Sequence, residues 1–298
     1  RLPALGTAKQ RKGGFGMYYH VDYVGGPRNS KWINVSPIPR LWEQMNLTYQ
    51  YGVDQMWILN VGDLKPMEYP IQFFLDMAWN PDQYNPQNLA SHSVEFCRSV
   101  FGAQYAEEAA RLLRTYAKFN RRVTPELLNM RTYSIANYDE WSRVCGEYDQ
   151  LALDADALGK KLPADLQDAW FQLLGYPIKA MANLYDMYYA QAMNQRQAKK
   201  NDPMANAWAD RVEECFKKDA ALATQYHTMN GGKWNHMMDE QYIGYKSWNG
   251  PDKKIMPEVK RVEGVAPAAI TLPKPAYITY AQPKGTPTFA ARDGYVSI

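Results

Sequence analysis

The sequence predicts an α/β segment followed by an all-α segment. Two short apolar and aromatic runs, residues 15–21 and 55–61, flank a helical pattern and read as parallel strands of a βαβ unit. From residue 86 to 229 every strong pattern has helical period. Beyond Gly231-Gly232 come a Trp-rich loop and a Pro-rich, alternating stretch over 257–298 that can supply strands but not a domain. These shifts divide the chain into 1–85, 86–250 and 251–298.

Each element has a local cause. Aromatic and β-branched content makes residues 15–21 a strand, and Met56 to Leu59 make the second one firmer. Ser36-Pro37 and Pro39 open a helix whose Leu41, Trp42, Met45 and Tyr49 keep a 3.6-residue period up to Gly52. Residues 68–79 read as a further helix. Five apolar stripes then follow, through Leu89 to Val100, Tyr105 to Tyr116, Tyr138 to Tyr148, Leu166 to Tyr188 and Met204 to Tyr226; the fourth is expected to kink at Pro177. Short polar, Pro or Gly connections suit an antiparallel bundle over 86–250. Residues 251–298 are expected to form a linker and the first strands of a C-terminal β domain.

Composition narrows the function classes. With 298 residues, 46% hydrophobic content and a net charge of +3, the chain can bury real cores and shows no basic block suited to nucleic acid. No run of roughly 18 apolar residues exists to span a membrane. The three cysteines, Cys97, Cys145 and Cys215, lack CxxC spacing and sit at apolar helical positions, so neither disulfides nor zinc are indicated. His92, His227 and His236 have no convergent ligand spacing and read as structural. The 22 Tyr and 9 Trp can either fill helix interfaces or stack on sugar rings, with interfaces favoured for most of them.

Chemistry concentrates where the two strands end. The first run stops at His20, Asp22, Tyr23 and then Gly25-Gly26-Pro27-Arg28; the second stops at Asn60, Asp63, Lys65 and Glu68. Parallel strands that deliver polar groups at one end mark the functional rim of α/β folds. An Asn closing an apolar strand is costly without a partner, which favours ligand contact for Asn60 over a bond to loop backbone. His20 reads as a satisfied core histidine at a strand end or as a site residue, and its place before a Gly-Gly turn beside Tyr23 favours the site. Asp22 and Asp63 tempt assignment as an acid/base pair, since inverting glycosidases use two carboxylates roughly 6.5–9.5 Å apart; turn-capping roles fit both better, and they remain weak catalytic candidates. Arg28 and Lys65 could pair with a substrate carboxylate or serve as ordinary surface charges.

The words HVDYVGGPR, KWINVSPIPRLWEQM, WILNVGDLKPMEYPIQFFLDMAW, NRRVTPELL, TYSIANYDEW and GGKWNHMMDEQYIGYKSW, in that order, resemble glycoside hydrolase family 115, the xylan α-1,2-glucuronidases. The resemblance implies the last part of a TIM-type (β/α)8 catalytic barrel over 1–85, then a helical bundle and the start of a β-sandwich. It implies an inverting hydrolase that removes (4-O-methyl-)glucuronic acid from glucuronoxylan without metal or organic cofactor, homodimeric when full length and periplasmic or secreted. His20, Tyr23 and Asn60 match substrate-binding positions, and the catalytic carboxylates would precede residue 1. A rival reading is a non-catalytic helical interaction or carbohydrate-binding module with an orphan βαβ remnant, in which residues 1–85 are disordered or domain-swapped.

Overall fold

The computed structural model describes residues 11–266 together with Ala4, Gly6 and Ile270. Strand β1 (Gly16–His20) pairs in parallel with β2 (Met56–Asn60), so that Gly16 lies beside Met56 and His20 beside Asn60. Helix α1 (Ile38–Gln50) crosses over between them, and α2 (Glu68–Trp79) follows. The alternation of a pleated strand sorts the side chains. Met17, Tyr19, Trp57 and Leu59 pack on the first core, whereas Tyr18, Met56 and Ile58 lie on the opposite, exposed face. Trp57 sits between the helices, with ring centroids 6.3 Å from Tyr49 of α1 and 6.1 Å from Phe74 of α2.

The remainder is helical. Helices α3 (Leu89–Phe101), α4 (Ala106–Asn120), α5 (Glu140–Lys161), α6 (Gln167–Trp170), α7 (Tyr176–Ala198) and α8 (Met204–Gly232) follow in order. The kink expected at Pro177 takes a specific form. Proline has no N–H to give to the carbonyl four residues back, and just before it Phe171–Gly175 adopt a π turn in which the Tyr176 N–H reaches the Phe171 carbonyl. Helix α8 runs as far as Gly232 only through a break at Met229, Asn230 and Gly231. The strands expected after residue 266 fall outside the described residues.

Two hydrophobic cores result. The first joins β1, β2, α1 and α2 to α3, α4 and the far end of α5. The second lies among α5, α7 and α8, and it also takes in Trp32 and Ile33 from the loop after β1 and Met238, Tyr242 and Ile243 from the segment after α8. Its aromatic side chains Trp32, Trp141, Tyr148, Tyr176, Tyr185, Tyr226 and Tyr242 are fully buried, whereas Tyr116 is fully buried in the first core. The cysteines are buried and unpaired, and burial pushes the Cys97 thiol up to about 12. No helix among the described residues is long and apolar enough to cross a membrane.

Candidate functional site at the strand ends

The in-register ends of β1 and β2 bring His20 and Asn60 together. The Asn60 amide nitrogen lies 3.0 Å from His20 Nδ1 and 3.1 Å from the Asp22 carbonyl, which is itself 3.1 Å from Nδ1. Both amide protons of Asn60 find acceptors if Nδ1 carries the lone pair, leaving the imidazole proton on Nε2. Nε2 makes no hydrogen bond among the described residues, and His20 is exposed, so in that tautomer the ring offers a donor to the open side of the rim. The rings of Tyr18 and Tyr23 pack edge-on against it at 4.8 and 6.0 Å.

Tyr23 is partly exposed and donates its hydroxyl to the Gly26 carbonyl at 3.3 Å. Asn29 fastens this turn: its Oδ1 accepts the Gly25 N–H, its Nδ2 donates to Asn249 Oδ1, and its own N–H donates to the Trp248 carbonyl. Arg28 joins the same clasp, donating to the Ser247 carbonyl and lying 5.6 Å over the Tyr245 ring. The rim after β1 is thus tied to a segment more than half the chain away.

The two aspartates differ. Asp22 is 2% exposed, its Oδ1 has no hydrogen-bond partner among the described residues, and a Cβ added at Gly62 (φ +60°) would stand 2.5 Å from its Oδ2. Burial raises its pKa above the usual carboxylate range, opposed by Lys31 and reinforced by Glu240 and Asp63. The part of Asp22 that serves the rim is its carbonyl, which accepts from Asn60. Asp63 is exposed and lines a cleft with His236, Asp239 and Glu240. Lys65 is turned inward: its Nζ lies 2.7 Å from Glu68 Oε1 and 4.3 Å from the Trp234 ring centroid, and Gln172 of the π turn donates to the same Glu68 oxygen.

The sequence pattern described as Glycosyl hydrolase family 115 matches residues 1–127. That stretch is similar to glycoside hydrolase family 115. Eleven chains of solved structures also match, among them a family GH115 4-O-methyl-α-glucuronidase with specificity for decorated arabinogalactans. It is 27% identical with a TM-score of 0.68, over 92% of this chain and 35% of its own. The chain therefore spans about a third of that structure's length. None of the curated proteins matches.

All seven residues singled out at the strand ends fall within the family 115 match, and so does one that sequence reasoning missed. Glu126, 3% exposed, lies in a short 3-10 turn (Pro125–Leu127), and its Oε1 accepts the N–H groups of Lys31 and Trp32 at 3.0 and 3.3 Å. Its Oε2 has no hydrogen-bond partner among the described residues. Burial outweighs these two bonds and lifts its pKa from 4.5 to about 7. A carboxyl raised in the folded state binds more protons folded than unfolded between those values, so its stabilising contribution is lost as pH rises from about 4.5 to about 7. Glu126→Gln, a neutral near-isostere, is expected to match the wild type near pH 5 and to exceed it near pH 8 by up to ~3 kcal/mol. Denaturant titrations of both proteins at the two pH values measure this; equal differences at both would refute it.

Proposed function

We propose that this chain carries the uronate-holding side of a glycoside hydrolase that removes (4-O-methyl-)glucuronic acid side chains from a plant polysaccharide of the xylan or arabinogalactan type. The observation that carries the reading is the His20–Asn60 pair, set in register at the carboxyl ends of two parallel strands with an exposed imidazole. Its support from relatives is the family 115 match and the likeness to a 4-O-methyl-α-glucuronidase. In this reading residues 1–85 are the last part of a (β/α)8 barrel, 86–250 a helical bundle that braces it, and 251–298 the entry to a β domain, in a homodimeric whole. An exposed apolar face on a parallel sheet, carrying Tyr18, Met56 and Ile58, fits a barrel interior, because parallel sheets are normally covered on both faces.

The chemistry follows from the site. His20 and Tyr23 orient the sugar through its hydroxyls or carboxylate, and Asn60 holds the imidazole, so that water attacks in line and the anomeric configuration inverts. The proton-transfer carboxylates lie on barrel strands outside this chain. The rival module with an unpacked βαβ remnant fares worse, since α1, β2 and α2 are built into the first core.

Calorimetric titration tests the reading. Glucuronic acid is expected to bind the chain more tightly than glucose, and Asn60→Ala to remove that preference; equal binding of the two sugars would sink the proposal. Incubated with glucuronoxylan, the chain is expected to release no uronic acid. Turnover would return the acid/base roles to Asp22 and Asp63.

A further inference from the structure

The turn that carries Tyr23 is a small hairpin with two separately anchored arms. Tyr23 and Ser30 exchange backbone hydrogen bonds at its base, 2.9 Å from the Tyr23 N–H to the Ser30 carbonyl and 2.8 Å in the reverse direction. The incoming arm is held at the strand ends, where the Asn60 carbonyl accepts the N–H groups of Val21 and Asp22 at 3.0 and 3.3 Å. No strand pairs with the outgoing arm among the described residues; its next two N–H groups, those of Lys31 and Trp32, go to Glu126 Oε1. One buried carboxyl oxygen thus takes the place on the outgoing side that the Asn60 carbonyl has on the incoming side.

The placement is costly for Glu126 itself, which is 3% exposed with its second oxygen unpartnered among the described residues. An apolar side chain would avoid that cost, but it would leave the two N–H groups without their acceptor, and the Trp32 amide is buried. Beyond this point the chain is fixed independently: the Trp32 indole N–H donates to the Tyr176 hydroxyl at 3.1 Å, and the ring stacks on Tyr242. With the Trp32 side chain held on one side, any slack at the Lys31 and Trp32 amides passes to Ser30 and, through its two hydrogen bonds, to Tyr23.

We propose that Glu126 is a positioning residue for Tyr23, setting the hairpin so that the Tyr23 ring stands at the uronate; the sugar-binding part of this inference rests on the uronate reading above. Two variants test it. Glu126→Asp keeps the charge but withdraws the oxygen by one methylene, whereas Glu126→Gln keeps an acceptor at full length. The first measurement needs no sugar. In amide hydrogen exchange of the whole chain, Glu126→Asp is expected to speed exchange of the Tyr23 and Ser30 amides roughly tenfold relative to amides of α7, and Glu126→Gln to keep the wild-type ratio. A general loss of stability would speed both regions together. The second measurement is a double-mutant cycle on glucuronic acid affinity by calorimetry. Glu126→Asp is expected to weaken binding roughly fivefold when Tyr23 is present and to add no further loss in the Tyr23→Ala chain. The proposal is overturned if the Tyr23 and Ser30 exchange ratio is unchanged in Glu126→Asp, if Glu126→Gln raises it as far, or if Glu126→Asp weakens binding equally in both backgrounds. Failure of the uronate reading registers instead in the wild-type chain, as equal binding of glucuronic acid and glucose, and the exchange ratio then decides the placement of Tyr23 alone.

Discussion

Replacing His20 with Ala is expected to weaken glucuronate binding by about 10- to 100-fold, the equivalent of ~1.5–3 kcal/mol for a lost hydrogen bond to a charged group. The effect has two sources. The Nε2 donor disappears, and the Asn60 amide loses the acceptor that fixes its orientation while keeping the Asp22 carbonyl. Stability should change little, because His20 is exposed and its ring neighbours lie at the surface. His92→Ala provides the contrast: that imidazole is buried against Phe73 and Tyr84 and bonded to Asp76 at 2.9 Å, so its loss should lower stability and leave glucuronate affinity intact. Calorimetric titration and thermal melts of both variants separate the outcomes, and a His20→Ala protein with wild-type affinity would remove His20 from the site.

The second large effect is on stability. Asp219 is 2% exposed and carries both the Tyr242 hydroxyl and the Lys254 ammonium, the latter at 2.5 Å. Asp219→Ala leaves a poorly exposed ammonium without its counter-charge, and removing one partner of a buried pair costs about 3–5 kcal/mol. The pair as a whole need not be stabilising, so the triple replacement Asp219→Leu, Tyr242→Phe and Lys254→Met should recover much of that loss. Denaturant midpoints of the single and triple variants decide it; a single variant within 1 kcal/mol of wild type, on the order of a surface change, would show that the clamp is solvated.

Much of this architecture is legible in the sequence because it rests on local period. The two strands were expected within a residue of their observed ends, and the polar residues that stop them already set His20 and Asn60 at matching positions. The inward turn of Lys65 had a signal too: Lys65 and Glu68 stand three apart at a helix start, a spacing that brings opposite charges together. Other features carried no local signal. Glu126 matters only because the chain returns the Lys31 and Trp32 amides to it. The clasp of Asn29 on Trp248 and Asn249 joins segments with no shared periodicity. Pro177 announced a disturbed helix but not that the turn before it would widen, which also depends on Trp170 packing against Gly159 and Gly175.

That widened turn couples the two halves. Gln172, on the π turn, shares Glu68 with Lys65, and Trp32 of the other rim loop donates its indole N–H to Tyr176, one residue beyond that turn. Anything that binds the rim therefore draws on the integrity of the helices, and by linkage a sugar that favours the ordered rim must equally disfavour opening of the bundle. Saturating ligand should accordingly slow amide hydrogen exchange along the start of α7, far from any atom the sugar touches.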